Sequence, residues 1–512
     1  YRLVALDART GARITSFGDS GAVDLKQDID QTILPDLITG EIGFQGAPVI
    51  GRDVVIIGAA FREGGSPKTM RNNKGYVRGF SARTGKRMWT FHTIPLKGEA
   101  GYDTWLNGSA ESTGNTGMWT QLTVDEELGL VYLPLESPTG DYYGGHRHGN
   151  NLYGESLVCL DLTTGVKKWH FQMVHHPIWD FDLSAAPILA DINVDGRAIK
   201  SVAVPTKQGF LYVFDRVTGK PVWPIDEKPV EAGNVPGEWY SPTQPFPTKP
   251  AAYSRNGVTL ADILDYTPAL KEQGLAIASK FKLGPVFTPP VVSNADGPIA
   301  LLANGPTNGG TNWPGGSYDP DTHTLYVSAS NYSPAVLGLV PPAPGASDLS
   351  FVQGFAPQPA GTPRVGLTVQ GLPLFKPPYG TISAINLDRG EIVWQVPHGE
   401  TPDVVRNHET LKAMNIPRTG QPGSVGTLVT KTLVIAGDPQ VTTVLPRPRS
   451  AVLRAYDKAS GKEVGGVTLP APQSGSPMTY VVNGRQYLVV AVSGGAYSGE
   501  YIAFRVPAQS SR

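Results

Sequence analysis

A short pattern of apolar and polar positions recurs six times along this chain of 512 residues. Each copy has an apolar run, a polar residue that is usually Asp, a tight turn closed by Gly, and a second apolar run that often ends in Trp. Alternating apolar positions predict β-strands, and Asp, Thr and Gly are typical of tight turns, so each copy predicts an antiparallel hairpin. The turn glycines are Gly11, Gly85, Gly165, Gly219, Gly390 and Gly461.

The spacing of these copies predicts a repeated architecture. Successive turn glycines follow one another at comparable intervals, except for one much longer gap between Gly219 and Gly390 that holds a further strand pair around Tyr318 and Val327. One hairpin cannot bury its own apolar face, so the copies must stack on their neighbours. At least seven four-stranded units are expected, which favours a β-propeller. The repeated Trp residues are expected to fill the seams between blades rather than to bind a cofactor.

Composition favours a single domain over residues 1–512. The chain has 60 Gly and 46 Pro, and 40% of its residues are hydrophobic, which suits a large core with many turns. One helix is predicted from Thr267 to Phe281, with Thr267 as N-cap and Pro268 as the first helical residue. The Pro- and Gly-rich stretch 341–364 is expected to form a surface excursion or a lid. Because the chain opens within a repeat, the N-terminal blade is expected to be incomplete.

Charge and cysteine content exclude several classes of function. A net charge of −1 and a pI near 6.8 give no electrostatic signature of a nucleic-acid partner or of an anionic membrane surface. No apolar run approaches the roughly 20 residues of a transmembrane segment. The single cysteine, Cys159, excludes an intrachain disulfide and a cysteine-based zinc site, and it is expected to be buried in a strand.

The densest polar and aromatic cluster covers residues 175–182 and includes His176, Asp180 and Asp182. Zinc binding by its two adjacent histidines is disfavoured, because neighbouring residues seldom point at one ion. A turn in which Asp180 and Asp182 cap backbone groups remains an alternative. Lys207, residues 115–119 and residues 309–313 also lie at predicted strand mouths, which converge on the central pocket of a propeller.

These segments resemble the pyrroloquinoline quinone (PQQ)-dependent dehydrogenases, which are eight-bladed quinoprotein β-propellers. The similarity covers essentially the whole chain and is closest to the branch of membrane-bound glucose and polyol dehydrogenases. Its most specific element is the combination of Trp179-Asp180-Phe181-Asp182 with Lys207, which follows on the next predicted strand pair. Further matching segments are residues 46–48, 75–79, 128–134, 206–209, 287–290, 376–381 and 476–480.

The resemblance implies a role for individual residues around a bound quinone. Asp180 matches the catalytic base, which also contacts a bound cation, and Lys207 matches the residue that hydrogen-bonds the quinone oxygens. Trp119 matches the aromatic floor under the cofactor ring. Asn312 resembles the amide that contacts the quinone from a later blade, with Trp313 beside it. A further cofactor contact is predicted at His176, where the family often has His.

The resemblance also implies a Ca²⁺ ion that polarises the quinone as a Lewis acid. Its predicted ligands are Asp180, Ser137 and Glu63. Ser137 stands where the family has an Asn ligand, at the matching offset from the floor Trp119, and Glu63 is the carboxylate with roughly the expected offset. The resemblance implies ubiquinone or a cytochrome as the electron acceptor. It also implies a location in the periplasm, in association with the membrane.

Three functions follow from these observations. The first is PQQ-dependent oxidation of an alcohol, polyol or aldose by hydride transfer, with Asp180 as base and Lys207 on the quinone oxygens. The second is a non-catalytic propeller scaffold with a degenerate cofactor site. The third is a sugar hydrolase that uses Asp180 and a second acid. The combination of Asp180 with Lys207 favours the dehydrogenase, whereas the sequence does not distinguish among its substrates.

Overall fold

The computed structural model describes residues 1–27, 43, 46–60, 64–358 and 365–505. In that part of the chain we find thirty-two strands and two α-helices, so the all-β prediction is confirmed. The helices are α1 (Pro268–Ala278) and α2 (Asp403–Arg406). The strands up to residue 247 are β1 (Arg2–Val4), β2 (Ala22–Asp24), β3 (Val49–Gly51), β4 (Val54–Ala59), β5 (Tyr76–Ser81), β6 (Arg87–His92), β7 (Thr123–Asp125), β8 (Leu130–Pro134), β9 (Ser156–Asp161), β10 (Lys167–Gln172), β11 (Ile188–Val194), β12 (Arg197–Pro205), β13 (Leu211–Asp215), β14 (Ile225–Pro229) and β15 (Thr243–Pro247).

The remaining strands follow the longer gap between repeats. They are β16 (Val291–Val292), β17 (Leu301–Asn304), β18 (Gly316–Asp319), β19 (Thr324–Ser330), β20 (Pro334–Val340), β21 (Val352–Gln353), β22 (Thr368–Val369), β23 (Leu372–Pro373), β24 (Gly380–Asn386), β25 (Glu391–Pro397), β26 (Leu428–Val429), β27 (Leu433–Gly437), β28 (Ala451–Asp457), β29 (Glu463–Leu469), β30 (Met478–Val482), β31 (Arg485–Gly494) and β32 (Tyr497–Arg505).

Most of these strands form separate antiparallel sheets. Four of the purely antiparallel sheets have four strands each, in the orders β3-β4-β5-β6, β7-β8-β9-β10, β18-β19-β24-β25 and β26-β27-β28-β29. Smaller sheets are formed by β1-β2, β11-β12-β13 and β30-β31-β32. The strands between β13 and β24 that do not join these sheets pair locally, and among them β16 and β20 run parallel.

Seven sheets stack face to face in the order of the chain, since each apolar cluster joins one sheet to the next. In β9, Val158 packs with Val77 of β5 on one face, and Cys159 packs with Val202 of β12 on the other. Corresponding clusters join β1-β2 to the sheet of β4, the sheet of β13 to that of β19, the sheet of β24 to that of β27, and the sheet of β28 to that of β31. This serial stacking agrees with the propeller prediction, while the count of eight blades stays a prediction. Cys159 is buried in its strand, as predicted.

Three of the four repeated Trp residues fill seams between sheets in the same way, as predicted. In these three, the indole N–H donates to a backbone carbonyl of the next sheet at 3.1–3.2 Å. Each ring also lies against the turn glycine of the following repeat, where a Cβ atom would come within 2.6–2.7 Å of the ring. The glycine therefore serves both the turn, at a φ near +71°, and the seam. The pairs are Trp89 with Gly165, Trp169 with Gly219 and Trp394 with Gly461.

The turn chemistry predicted for the repeat is present. In one copy, Asp161 Oδ1 accepts hydrogen bonds from the backbone N–H groups of Thr163 and Thr164 at 3.1 and 3.0 Å. The Thr164 hydroxyl donates to the same oxygen at 2.9 Å. The carboxylate thus replaces backbone partners that a tight turn leaves unsatisfied.

The two predictions outside the repeats are also supported. Helix α1 begins at Pro268, with the Thr267 hydroxyl accepting from Leu270 N at 3.2 Å, and it ends somewhat before the predicted Phe281. The stretch 341–358 is largely exposed and is anchored by the buried Leu349, while residues 359–364 lie outside the described residues. Neither described helix is long and apolar enough to cross a bilayer.

The order of the strands places the candidate site residues together. In an antiparallel meander, the second and fourth strands run in the same direction and end at the same end of the sheet. The loops that follow these two strands therefore lie at that end. Trp119 follows β6, Ser137 follows β8, Asp180 and Asp182 follow β10, and Lys207 follows β12. These residues therefore lie at one end of the sheets, and the Asp–Gly turns of the repeat lie at the other.

Candidate active site

Lys207 joins two carboxylates in a group that we call the acid–lysine cluster: Asp180, Asp182 and Lys207. The Lys207 Nζ atom lies 2.9 Å from Asp180 Oδ1, 2.9 Å from Asp182 Oδ2 and 3.0 Å from the Asp180 backbone oxygen. The Lys207 side chain is 2% exposed, whereas those of Asp180 and Asp182 are 12% and 10% exposed. The structure thus brings the predicted base and the predicted quinone ligand into direct contact.

Lys207 is held by the tight loop between β12 and β13 and by a glycine pair from a later loop. Gly310 N donates to the Lys207 backbone oxygen at 2.6 Å. A Cβ atom at Gly309 would come within 2.7 Å of the Lys207 Cγ atom. The absence of side chains at Gly309 and Gly310 therefore lets this backbone lie directly against the lysine.

Asp182 has more hydrogen-bond donors than Asp180. Its Oδ1 atom accepts from Ser137 N at 2.8 Å, and its Oδ2 atom accepts from the Trp119 indole at 3.2 Å in addition to Lys207. Asp182 is a site residue whose role the sequence did not reveal, since its pattern suits a backbone cap equally well. Its place two residues after Asp180, in an otherwise aromatic segment, is the signal that was available.

The two carboxylates share one ammonium, and this drives their pKa values apart. Burial raises the pKa of Asp180 well above its usual range, since the attraction of Lys207 is opposed by the nearby Asp182. Burial also disfavours ionisation of Asp182, but Lys207 and the donors on Asp182 outweigh it and lower its pKa. For Lys207, burial is outweighed by both carboxylates, so its pKa is raised and it stays charged. Asp180 is therefore the member of the pair that takes up a proton more readily.

Glu155 is a further member of this region that sequence reasoning missed. It is fully buried directly before β9, and its Oε1 atom accepts from Phe181 N at 2.7 Å and from the Ser137 hydroxyl at 2.5 Å. Its Oε2 atom is buried without a hydrogen-bond partner. Burial, reinforced by Asp182, raises the pKa of Glu155 to about 8. The only sequence signal was a carboxylate placed directly before an apolar strand.

A cleft of about 610 Å³ opens beside the acid–lysine cluster. Trp119 and Thr307 both line this cleft. The Trp119 indole donates to the Asp182 carboxylate, and the Thr307 backbone N–H donates to the backbone oxygen of Asp180 at 3.3 Å. The Tyr142 hydroxyl contacts the Thr307 hydroxyl at 2.8 Å. The remaining polar lining includes Asn308, Asn312, Ser330, Ser333 and Ser424.

Asn312 and Trp313, both predicted cofactor contacts, lie on the wall of this cleft. The Asn312 amide closes its own loop, donating to the Asn308 oxygen at 3.0 Å and accepting from Trp313 N at 2.7 Å. The Trp313 side chain is open to solvent, with 47% of the residue exposed. A loop fixed in this way presents the indole of Trp313 to the cleft.

His176 lies apart from the residues that line the cleft. Its ring pairs with Glu238 at 2.9 Å and with the Gly149 oxygen at 2.8 Å, and burial lowers its pKa. The neighbouring His175 turns to Glu227 instead, so the two histidines face different partners. The cofactor contact assigned to His176 stays a prediction.

The predicted calcium ligands are only partly within the described residues. Asp180 and Ser137 lie in one hydrogen-bonded group. Ser137 N donates to Asp182, and Lys207 donates to both Asp182 and Asp180. Glu63 lies outside the described residues. Among the residues that the structure describes, no three His, Cys, Asp or Glu side chains are placed to hold a metal ion together.

Comparison with known proteins identifies the family. The family model described as "PQQ: Glucose/ethanol/alcohol dehydrogenase, beta-propeller domain" matches residues 1–488. The chain is 32% identical to a probable quinate dehydrogenase (quinone) of Xanthomonas campestris pv. juglandis over 99% of this chain and 63% of that protein. It is 31% identical to quinoprotein glucose dehydrogenase of Escherichia coli over 99% of this chain and 62% of that protein. The chain thus spans less than two thirds of the length of these relatives.

A solved structure with the same fold supports this assignment. The crystallised quinohemoprotein alcohol dehydrogenase of Pseudomonas putida superposes with a TM-score of 0.60 at 22% identity, over 97% of this chain and 60% of that one. At this level of identity the likeness shows the fold alone. Together with the family match, it confirms the propeller architecture and the family resemblance. The chain belongs to the PQQ-dependent glucose, ethanol and alcohol dehydrogenase β-propeller family.

Proposed function

We propose that this chain forms one eight-bladed propeller domain and oxidises an alcohol, polyol or aldose with PQQ as cofactor. The observation that carries the proposal is the acid–lysine cluster at the edge of the cleft. A carboxylate with a raised pKa and a buried ammonium meet there, and the indole of Trp119 bonds to the same cluster. A scaffold protein has no use for such a costly buried charge cluster beside an open cleft.

The cleft suits a flat quinone in size and in chemistry. Its volume of about 610 Å³ lies within the range usual for cofactor pockets. Trp119, Asn312 and Trp313 would hold the ring and its polar edge, and Lys207 would bind the quinone oxygens. The three protons of the Lys207 ammonium already have three acceptors, so this contact requires one present partner to release its bond.

The oxygen-rich surroundings of the cluster also suit a hard cation such as Ca²⁺. Asp180 and Asp182 contact one ammonium, and the buried Glu155 is joined to them through Ser137 and Phe181 N, so the region carries excess negative charge when all three ionise. Asp180 and Ser137 would supply ligands from the described residues. Glu63 would supply the carboxylate that we predict from the sequence.

The proposed reaction removes two electrons and two hydrogens from the substrate carbinol. A bound PQQ would supply the acceptor for the hydride of the substrate carbon, and a bound cation would supply Lewis-acid assistance. Asp180 takes the hydroxyl proton, and its raised pKa makes it a stronger base than an ordinary Asp. Lys207 keeps its proton and supplies fixed positive charge next to the oxygen on which negative charge develops. The product is the corresponding carbonyl compound.

The relatives extend the proposal to substrates and partners. They carry the names of quinate and glucose dehydrogenases, so polyhydroxylated rings are the first substrates to test. We expect the electrons to pass to ubiquinone or a cytochrome, and we expect the protein to work in the periplasm in association with the membrane.

The direct test uses the full-length protein, purified without cofactor and mixed with PQQ and Ca²⁺. Reduction of an artificial dye is followed with a panel that includes quinate, glucose, glycerol and ethanol. We expect saturable dye reduction with at least one substrate, dependent on PQQ. Failure to bind PQQ would favour the scaffold instead, and sugar release without any quinone would favour the hydrolase.

A further inference from the structure

The peptide group between Asp180 and Phe181 is held from both sides. Its carbonyl oxygen accepts from Lys207 Nζ at 3.0 Å and from Thr307 N at 3.3 Å. Its N–H group, on Phe181, donates to Glu155 Oε1 at 2.7 Å. Both polar atoms of this one peptide are therefore fixed by groups from other segments of the chain.

This peptide needs such support because Asp180 has a strained backbone. Its φ is +55°, in the left-handed region that costs a residue with a Cβ atom about 1–2 kcal/mol. The bonds to this peptide fix the ψ angle of Asp180, which is the second backbone angle of that conformation. If the N–H partner were lost, φ and ψ of Asp180 would be free to change together and relieve the strain. That change would carry the Asp180 backbone oxygen away from Lys207 and would move the Asp180 carboxylate.

Glu155 also reaches the second carboxylate of the acid–lysine cluster. The oxygen that accepts from Phe181 N accepts the Ser137 hydroxyl at 2.5 Å, and Ser137 N donates to Asp182 Oδ1 at 2.8 Å. Glu155 is fully buried and does not line the cleft. It therefore reaches the proposed reaction only through Asp180, Ser137 and Asp182.

We infer that Glu155 is a positioning residue, whose Oε1 atom sets the backbone of Asp180 and, through Ser137, the carboxylate of Asp182. The inference rests on the proposed function for its catalytic consequence, while the structural consequence stands independently of it. The acting feature is one acceptor oxygen, since the other oxygen of Glu155 has no hydrogen-bond partner.

The test compares Glu155→Gln with Glu155→Leu in the full-length protein. Glutamine keeps an acceptor oxygen in the same place, whereas leucine has a similar size and no acceptor. With PQQ, Ca²⁺ and the best substrate, we expect Glu155→Gln to keep kcat within about threefold. A misplaced base costs on the order of a hundredfold, so we expect Glu155→Leu to lose kcat by about that factor with little change in KM. Asp319→Leu is the stability control, because Asp319 is a buried acid whose partner is Lys458; it should lower the Tm without lowering kcat.

Crystal structures of the cofactor-free variants supply a readout that does not depend on activity. In Glu155→Leu, we expect the peptide 180–181 to rotate and Asp180 to leave the left-handed region, while Glu155→Gln keeps both. If Glu155→Leu does not fold, Ser137→Ala takes its place, because it removes the bond between the Ser137 hydroxyl and Glu155 Oε1. The Asp182 carboxylate is then expected to shift in the cofactor-free crystal structure, while Phe181 N keeps its bond to Glu155.

Three results would overturn the inference: equal loss of kcat in the Gln and Leu variants, an unchanged Asp180 backbone in Glu155→Leu, or an unchanged position of the Asp182 carboxylate in cofactor-free Ser137→Ala. Absence of dye reduction by the wild-type protein would count against the proposed function. In that case the crystal structures would still decide the role of Glu155.

Discussion

Replacing Lys207 by methionine removes the ammonium that contacts both carboxylates of the acid–lysine cluster. Methionine fills a similar volume without charge, so the change isolates the electrostatic contribution. Lys207 is 2% exposed and lies 2.9 Å from each carboxylate, which are themselves only 12% and 10% exposed. Its removal leaves two buried acids without their common partner.

The expected destabilisation follows from this burial. Breaking a buried ion pair by removing one partner costs about 3–5 kcal/mol. A chain of 512 residues has an unfolding entropy of roughly 1 kcal/mol per degree, so the expected loss in Tm is about 3–5 °C at neutral pH. Without Lys207, the pKa of each carboxyl rises and the variant takes up protons more readily. The difference in Tm between the variant and the wild-type protein should therefore be largest near pH 8 and should become smaller towards pH 5.

The assay is thermal unfolding, followed by circular dichroism between pH 5 and pH 8 on the cofactor-free protein. Lys458→Met is the matched control, because Lys458 pairs with one carboxylate, that of Asp319, at 13% exposure and away from the cleft. We expect Lys458→Met to lower the Tm by less than Lys207→Met does. Two results would refute the assignment of Lys207 as the counter-ion of both acids. One is an unchanged Tm for Lys207→Met at pH 8, and the other is a Tm difference from wild type that grows as the pH falls.

Three further predictions concern the cleft, the seams and the buried acid. Trp119→Ala should weaken PQQ binding at least tenfold in a fluorescence titration, because part of the cleft wall and a donor to Asp182 are lost together; unchanged affinity would contradict the role of Trp119. Gly219→Ala should cost about 1–3 kcal/mol more than Gly196→Ala in unfolding experiments, since both have positive φ but only Gly219 would place its Cβ within 2.6 Å of the Trp169 ring; equal losses would contradict the seam. The pKa of Glu155 rises from 4.5 to about 8 on folding, so stability should fall as the pH rises through this range, and Glu155→Gln should flatten that slope in cofactor-free protein; identical slopes would contradict it.

The fold was largely predictable because the signal for it repeats. Each Asp–Gly turn is a local feature, and Asp161 and Gly165 act through contacts that the residue types themselves suggest. The recurrence of Trp made the seam position of Trp169 expected, whereas its packing on Gly219 of the next repeat became visible only in the structure. The number of blades is different, because it depends on how the stacked sheets close, which no local pattern encodes.

The site was predictable only in part, because it lies at the end of the sheets opposite the repeated turns. Asp180 and Lys207 were found through the family resemblance, and the structure places them in contact. The sequence did not predict the place of Glu155 in the site or the contact of Asp182 with Lys207 and Trp119, because both depend on which loops meet in space. A carboxylate beside an apolar strand gives no sign of its partner until Phe181 N and Ser137 are seen next to it.

The most direct test of the central claim is the turnover of Asp180→Asn in protein loaded with PQQ. Asparagine has the same shape but cannot accept the substrate proton, while Lys207 keeps its bonds to Asp182 and to the backbone oxygen of residue 180. We therefore expect the variant to fold and to bind PQQ as the wild-type protein does, with kcat reduced about 10²–10⁴-fold. Turnover within about threefold of wild type, with the cofactor bound, would contradict the assignment of Asp180 as the base.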